Sequence, residues 1–166
     1  ITGILDYLDL PVQLDAGAAE EAVIDNWLGN GVSRLVLSPA LTHDTDQLER
    51  LSARYPGQLV AVLDIDADMP DNLPDMFQTM PLAGVLVRES TSCYSAKARH
   101  LSDAVMQAGL HSIYDGNFPD FRSFCRMLDD TQHSFDGIIT GALYYSANFD
   151  SYTALRSVAR REMPGR

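Results

Sequence analysis

The chain has 166 residues, of which 46% are hydrophobic, and this length allows one compact domain with a substantial core. Its net charge of −11 argues against a nucleic-acid-binding or anionic-membrane-binding surface. Two cysteines make no disulfide framework, and no signal-peptide pattern or membrane-length apolar run is present. We therefore expect a single domain over residues 1–166, located in the cytoplasm and binding neither nucleic acid nor membrane.

Six short runs of β-branched and aliphatic residues recur along the chain, and each ends in polar residues. Because these runs are continuously apolar rather than alternating, they are typical of strands buried on both faces of a parallel sheet. The predicted strands are Leu10–Leu14, Arg34–Leu37, Leu59–Leu63, Gly84–Val87, Leu110–Tyr114 and Gly137–Ile139.

Helical patterns separate the strands, at about 25 residues per strand-plus-helix unit. Ile1–Tyr7 has the pattern of a preceding helix, and Pro70–Met80 is the weakest helical segment because Pro74 interrupts it. The remaining predicted helices are Ala18–Leu28, Asp46–Tyr55 with Thr45 as its cap, Ser95–Ala108, Phe118–Leu128 and Asp150–Arg161. Six βα units therefore account for the whole chain.

One segment occurs twice, about a hundred residues apart. In each copy an apolar strand ends in an aspartate, Asp15 or Asp115, and a helix and a second strand follow. Each second strand is followed by a hydroxyl residue, Ser38 or Thr140, and then by one residue and Ala-Leu. A duplicated βαβ unit predicts an α/β fold of the (βα)8 TIM-barrel type. Since a closed barrel has eight units, we expect two further units before Ile1.

The strands resemble those of ProFAR isomerase (HisA), the (βα)8 barrel of histidine biosynthesis, from its third unit to its eighth. Pro11–Leu14 resembles the third strand of that family, Gly31–Leu37 the fourth and Val62–Asp64 the fifth. Gly137–Gly141, followed by Leu143–Tyr145, is similar to the eighth. The resemblance implies a barrel with its active site at the C-terminal ends of the strands.

The isomerase family binds a substrate with two phosphates, through glycine-rich turns after four of its strands. Here Asp15–Gly17 stands in place of three glycines, Ser38-Pro39 in place of Gly-Thr and Asp115–Asn117 in place of Ser-Gly-Gly. Only Gly141 remains of the Gly-Arg after the eighth strand. Because carboxylates at two phosphate positions repel a bisphosphate, we expect a ligand that is not one.

The family's reaction uses one aspartate on the first strand and one on the fifth as acid and base in an Amadori-type rearrangement. Asp64 matches the second of these and ends a buried strand, where a lone carboxylate is costly unless it is paired or used. Asp64 is therefore our candidate catalytic residue, for isomerase-like or lyase-like acid–base chemistry. The family's sixth-strand Thr-Asp and its Asp-Gly loop are replaced by Val87–Thr91.

Polar residues at the strand ends are expected to ring one mouth of the barrel, together with Asp64 and Glu89. Those assigned to ligand binding are Gln13, Asp15, Ser38, Asp66, Arg88, Asp115, Gly116, Asn117, Thr140 and Gly141. Converging carboxylates can act as acid and base, hold Mg²⁺ or Ca²⁺, or bind a cationic or polyhydroxylated ligand. The four histidines show no zinc spacing with each other or with the cysteines, so we expect no zinc site. We assign neither a metal nor a cofactor.

Several of these residues have a second interpretation. Asp15 and Asp115 can cap the helices that follow them instead of binding a ligand. Arg88 either neutralises Asp64 or Asp115 across the mouth or binds a carboxylate or single phosphate of a ligand. Gly116 with Gly141 is the remaining backbone anion site.

Four further side chains are interpreted mainly as structural. Cys125 is expected in the core, and Trp27 in the core or at an interface. Tyr145 and its neighbour Tyr144 are expected to pack under the final helix or to line a ligand pocket.

Three functional hypotheses follow. The first is a diverged enzyme that acts on a small polar metabolite through Asp64, the second is a non-catalytic binding or scaffold protein, and the third is a genuine ProFAR isomerase. One group related to the isomerase is associated with methanogens and methylotrophs, and membership would link this chain to tetrahydromethanopterin-dependent one-carbon metabolism. The expected partner is a small molecule, and assembly into a homo-oligomer stays open.

Overall fold

The structure is a computed structural model that describes residues 2–5, 10–18, 20–67, 73–90, 94–130, 135–145, 150 and 152–156. Along these residues each strand is followed by one or two helices. Their bounds are α1 Thr2–Leu5, β1 Gln13–Ala18, α2 Glu21–Gly29, β2 Arg34–Leu37, α3 Pro39–His43, α4 Thr45–Arg54, β3 Leu59–Asp64, α5 Leu73–Met76, β4 Gly84–Glu89, α6 Ala96–Gln107, β5 Ser112–Gly116, α7 Phe121–Asp130, β6 Gly137–Ile139 and α8 Gly141–Tyr144.

The six strands form one parallel sheet in the order β1-β2-β3-β4-β5-β6, so that each strand pairs with the next strand of the chain. Sequential parallel strands joined through helices are the pattern of a (βα)8 barrel. The curled sheet corresponds to six consecutive units of such a barrel, which confirms the predicted fold class.

The two faces of the sheet bury different side chains. The outer face packs against the helices and contributes Leu35, Leu59, Leu63, Val85 and Val87 to the main core. The inner face carries a separate apolar cluster, the inner cluster, made of Val36, Val60, Val62 and Leu86 with Ala83 and Ile113 packed against it. Because side chains alternate along a strand, the two sets interleave, and this explains why the predicted strands were apolar throughout.

The first strand begins three residues later than predicted, at Gln13, and ends four residues later, at Ala18. Asp15 pairs with Val36 and Ala18 pairs with Leu37, so that Ala16 and Gly17 bulge out of the ladder. Gly17 has a φ of +58°, a conformation that favours glycine and permits the bulge. Ala18, predicted as the first residue of a helix, is therefore a buried strand residue, and α2 begins at Glu21.

Two helices are capped by aspartates that the predictions did not use as caps. Asp44 Oδ1, rather than the Thr45 hydroxyl, accepts the N–H of Gln47 at 3.0 Å and caps α4. Asp120 Oδ1 accepts the N–H of Ser123 at 2.7 Å, so α7 begins at Phe121 instead of Phe118. These are ordinary side-chain caps, in which the carboxylate satisfies a backbone donor that the helix leaves open.

Parts of three predicted helices lie outside the described residues. Of Pro70–Met80 a single turn is described as α5, of Asp150–Arg161 the residues 152–156 are helical, and of Ile1–Tyr7 the residues 2–5 form α1. None of the helices in the described part of the chain is long and apolar enough to span a membrane. The cytoplasmic location stays a prediction.

Both copies of the repeated segment fold alike. In each, a strand is followed by a helix and by the neighbouring parallel strand, as β1-α2-β2 and as β5-α7-β6. Ser38 and Thr140 then precede the short helices α3 and α8, in which Leu41 and Leu143 are buried. The duplication that the sequence predicted is therefore present in three dimensions.

Helix α3 supplies a hydrogen-bond acceptor to β3 beyond the point where β2 ends. The last paired residues of the two strands are Val36 and Val60, and beyond them the N–H of Val62 donates to the Thr42 hydroxyl at 3.0 Å. Thr42 is completely buried. A side chain of α3 thus satisfies a backbone donor of the central strand β3 that would otherwise be buried without a partner.

We expect Thr42→Val to lower the free energy of unfolding by about 1–3 kcal/mol, because the buried N–H of Val62 loses its acceptor while the shape of the side chain is kept. Urea denaturation measures this change. Thr42→Ser is the control, since it keeps the hydroxyl and removes one methyl group. Equal stability of the valine variant and the wild-type protein would contradict the role given to this hydrogen bond.

Candidate functional site

Three charged residues form a row across the ends of three neighbouring strands. Asp64 of β3 pairs in register with Arg88 of β4, and Arg88 pairs with Asp115 of β5. On each strand, the residue two positions earlier belongs to the inner cluster or packs against it. The three side chains therefore share the inner face, above an apolar layer. This is the C-terminal edge of the sheet, where barrels of this class carry their chemistry.

Arg88 joins carboxylates from two strands that are far apart in the sheet. Its Nε donates to Asp115 Oδ2 at 2.9 Å, and its Nη2 donates to Asp15 Oδ2 at 3.0 Å. The side chains of Arg88 and Asp115 are 28% and 25% exposed, and that of Asp15 is 50% exposed. We call these three residues the mouth triad. The predicted alternative of an internal pair between Arg88 and Asp115 is present, whereas Asp15 was not foreseen as a partner of Arg88.

The mouth triad keeps its arginine charged. Partial burial by itself lowers the pKa of Arg88, but the hydrogen bonds to Asp115 and Asp15 and the charges of these carboxylates outweigh it and raise that pKa above its ordinary value. A permanent guanidinium cation therefore lies between the two carboxylates.

The capping role considered for Asp15 and Asp115 is wrong. Glu20 is the N-cap of α2 and makes no side-chain cap, and Asp120 caps α7. Asp15 Oδ1 instead accepts the N–H of Gly17 at 3.2 Å, inside the bulge of β1. Both helices begin five or more residues after the two aspartates, too far along the chain for either carboxylate to reach the first turn as an N-cap.

Asp64 and Asp66 organise the turn after β3. Asp64 is half-buried, and its Oδ1 accepts the N–H of Asp66 at 3.1 Å. Asp66 Oδ2 accepts the N–H of Ser90 at 2.8 Å and so connects this turn to the one that follows β4. The candidate catalytic carboxylate thus lies beside Arg88 in the row, with one oxygen oriented by its own turn.

The remaining predicted ligand-binding residues occupy different places. Ser38 Oγ accepts the N–H of Leu41 at 3.3 Å and caps α3, Thr140 precedes α8, and Gly141 is the first residue of α8. Gln13 begins β1 and pairs with Arg34, the first residue of β2. Its predicted position at the mouth is wrong, because the strand continues to Ala18 and places Gln13 at the opposite edge of the sheet.

Glu89 was expected at the mouth and lies on the outer face instead. Its Oε2 accepts the phenol O–H of Tyr114 at 2.8 Å and the N–H of Ser95 at 3.0 Å, and the Tyr114 oxygen accepts the N–H of Tyr94 at 2.6 Å. Glu89, Tyr94 and Tyr114 are all buried. Adjacent strand residues point to opposite faces, so Arg88 and Glu89 cannot both face the mouth. We call these hydrogen-bonded residues the outer network.

Gly116 makes room for the outer network. A Cβ atom at Gly116 would overlap Cε1 of Tyr114 and would lie 2.6 Å from its phenol oxygen. Gly116 pairs in register with Glu89, while the N–H of Asn117 donates to the Glu89 carbonyl oxygen at 3.3 Å. The glycine predicted as an anion site therefore has a packing role beside the Tyr114 ring.

The other singled-out side chains are mostly structural. Trp27 and Cys125 are partly buried against the main core. Tyr144 and Tyr145 are exposed and contact each other edge to face at 5.5 Å, so the prediction that they pack under the final helix is wrong. Cys93 and His133 lie outside the described residues, and among the residues that are described no group of three or more His, Cys, Asp or Glu side chains is placed to hold a metal ion.

Comparison with known proteins identifies the family. The family model described as "Histidine biosynthesis protein" matches residues 1–113, which include β1 to β4 and therefore Asp15, Asp64 and Arg88. The chain belongs to this histidine biosynthesis family.

Three similar proteins agree with this family. The 1-(5-phosphoribosyl)-5-((5-phosphoribosylamino)methylideneamino)imidazole-4-carboxamide isomerase (ProFAR isomerase) of Azorhizobium caulinodans is 29% identical over 181 residues, covering 95% of this chain and 72% of the relative. The isomerase of Xanthobacter autotrophicus is 25% identical over 174 residues, covering 95% and 71%. That of Beijerinckia indica is 36% identical over 64 residues, covering 39% and 26%. The family resemblance seen in the strands is therefore confirmed.

Within this histidine biosynthesis protein, we expect the two ion pairs of the mouth triad to differ in strength. Double-mutant cycles with Arg88→Met, Asp115→Asn and Asp15→Asn should give a coupling of about 1 kcal/mol for Arg88 with Asp115 and about 0.5 kcal/mol for Arg88 with Asp15, because water screens the half-exposed carboxylate more strongly. Urea denaturation of the single and double variants measures both couplings. A stronger coupling to Asp15 would contradict the order of strength assigned from exposure.

We further expect Gly116→Ala to lower the free energy of unfolding by about 1–3 kcal/mol, because its Cβ overlaps the buried ring of Tyr114. Gly29→Ala is the matched control, since a Cβ at this helical glycine meets no atom within 4 Å. It should leave stability unchanged or slightly raised. Similar stabilities of the two variants in thermal and urea unfolding would show that Gly116 is not required by packing.

Proposed function

We propose that this member of the histidine biosynthesis family binds or converts a small polar metabolite that is not a bisphosphate. The observation that carries the proposal is the mouth triad, in which Arg88 is already bound by Asp15 and Asp115. By the resemblance of the strands, these two aspartates stand where isomerases have phosphate-binding glycine turns. Two phosphate groups would therefore meet carboxylates at both positions.

The charge balance of the mouth supports the same conclusion. Asp15 and Asp115 bind the guanidinium of Arg88, and Asp64 lies in register beside it, so that three carboxylates of the described residues lie at this guanidinium. Like charges at short range in a partly desolvated site repel strongly, so each additional anionic group on a ligand is disfavoured. A ligand with hydroxyl groups and at most one acidic group suits this arrangement better than a ligand with two phosphates.

Asp64 is the proposed acid–base residue of this site. It lies at the C-terminal end of a buried strand, in register with Arg88, and the N–H of Asp66 orients its carboxylate. A carboxylate placed in this way can take a proton from a ligand and return it, as isomerase-like or lyase-like reactions require. The cytoplasmic location and the small-molecule partner are parts of the same proposal.

The relatives are named as isomerases, and this favours a second candidate, which is ProFAR isomerase activity itself. The two candidates make opposite predictions for the natural isomerase substrate. In the first, ProFAR is excluded by the carboxylates of the mouth triad; in the second, it binds despite them.

We expect ProFAR to leave the melting temperature of the full chain unchanged and to show no turnover, with the Azorhizobium caulinodans isomerase assayed beside it as the positive control. A ligand at a hundred times its dissociation constant adds about 2.7 kcal/mol, a shift of several degrees, so binding would be visible. Stabilisation and turnover of ProFAR would establish the second candidate. Sugar monophosphates and uncharged sugars belong in the same thermal-shift series.

Whichever metabolite stabilises the protein, we expect Asp64→Asn to keep that stabilisation and to reduce turnover by at least about a hundredfold, because the amide cannot exchange a proton. Thermal shift and a single-turnover assay separate binding from chemistry. Asp46→Asn, on the surface of α4, is the control for the loss of one charge. Undiminished turnover in Asp64→Asn would remove Asp64 from the catalytic role.

A further inference from the structure

Two donors converge on the carboxylate of Asp15. Its Oδ1 accepts the backbone N–H of Gly17 at 3.2 Å, and its Oδ2 accepts the guanidinium Nη2–H of Arg88 at 3.0 Å. A glycine N–H in a turn together with an arginine is a donor set that proteins use for carboxylate and phosphate oxygens of ligands. At this mouth the carboxylate of Asp15 accepts hydrogen bonds from both donors.

The two carboxylates of the mouth triad are not equivalent. Asp115 is 25% exposed, lies in register beside Arg88 on the adjacent strand and binds Nε, the guanidinium nitrogen nearest the backbone. Asp15 is 50% exposed, belongs to the bulged strand β1 and binds the outer nitrogen Nη2. Asp115 therefore holds the arginine in place, while Asp15 is the partner that solvent and solutes reach.

We propose that Asp15 is an internal anion that occupies the place of the ligand's acidic group, and that the ligand carries one carboxylate or phosphate that displaces Asp15 from Arg88 and from the Gly17 N–H. This inference rests on the proposed function of the mouth and names the class of its ligand. The exchange leaves Arg88 with two anionic partners, and the displaced Asp15 carboxylate, which is half exposed, is left to be solvated by water. A second acidic group would meet Asp64 or Asp115, which limits the ligand to one.

The displacement predicts that removing the Asp15 charge creates a better anion site. We expect Asp15→Asn to bind inorganic phosphate about threefold to tenfold more tightly than the wild-type chain, because a competing internal group and a like charge are both removed. A phosphate titration of each protein, followed by NMR at the Arg88 Nε–H resonance, measures the two dissociation constants to be compared. Acetate titrated in parallel distinguishes a site that prefers a carboxylate from one that prefers a phosphate.

A matched control exists in the same chain. Asp25 is 48% exposed and pairs with Arg54 at 3.1 Å, much as Asp15 pairs with Arg88, but it lies on helix α2. Asp25→Asn removes the same charge and should keep the wild-type phosphate affinity. The double variant Asp15→Asn with Arg88→Gln should lose the gain, since the guanidinium is gone. Asp15→Ala serves as the second variant should the asparagine variant fail to fold, as judged by circular dichroism.

Three results would overturn the proposal: no gain of affinity in Asp15→Asn or Asp15→Ala, an equal gain in Asp25→Asn, or a gain that survives the loss of Arg88. Failure here is distinguishable from failure of the proposed function. Turnover of ProFAR by the wild-type chain would end the proposed function and the limit of one acidic group, whereas the displacement of Asp15 is decided by the phosphate titration alone. Absence of the phosphate gain would end the exchange and leave a metabolite without an acidic group as the ligand.

Discussion

An arginine above an apolar layer requires anionic partners, and the arrangement of the mouth follows from that requirement. Arg88 lies two residues beyond Leu86 of the inner cluster, so its guanidinium is partly withdrawn from water. Asp115 supplies one partner from the adjacent strand, and Asp15 supplies the other from the far edge of the sheet. The second bond forms only because the sheet curls. The curl and the charges of the mouth are therefore coupled, and Arg88 is the residue that couples them.

Most of the fold could be predicted because strands that are buried on both faces appear in the sequence as continuous apolar runs. The limits of β2 and β6 agree with the prediction to the residue, and the duplicated segment places both pairs of neighbouring strands correctly. The first strand could not be placed in this way. Gln13–Ala18 has no apolar run, and its bulge depends on the positive φ of Gly17, which hydrophobic periodicity does not report.

The candidate site was predictable only in part. Strand ends identified Asp64, Arg88 and Asp115, because residues that follow parallel strands meet at one edge. The pairing of Arg88 with Asp15 depends on the third dimension, since these residues are on strands that are not neighbours. The prediction of Glu89 at the mouth was wrong. Because side chains alternate along a strand, Arg88 at the mouth already requires its neighbour Glu89 to face the opposite side of the sheet. For Gly116, an anion site and a packing requirement look the same in a sequence, and only the Tyr114 ring distinguishes them.

The contact between Gly116 and the Tyr114 ring also constrains how this protein can diverge. Because the phenol fills the space of a Cβ atom, a lineage that keeps the tyrosine has to keep a glycine two positions later. A smaller residue at position 114 would release position 116, but it would also deprive the buried Glu89 of its phenol donor. The three positions therefore form one evolutionary unit, and substitutions among them should accumulate together rather than one at a time.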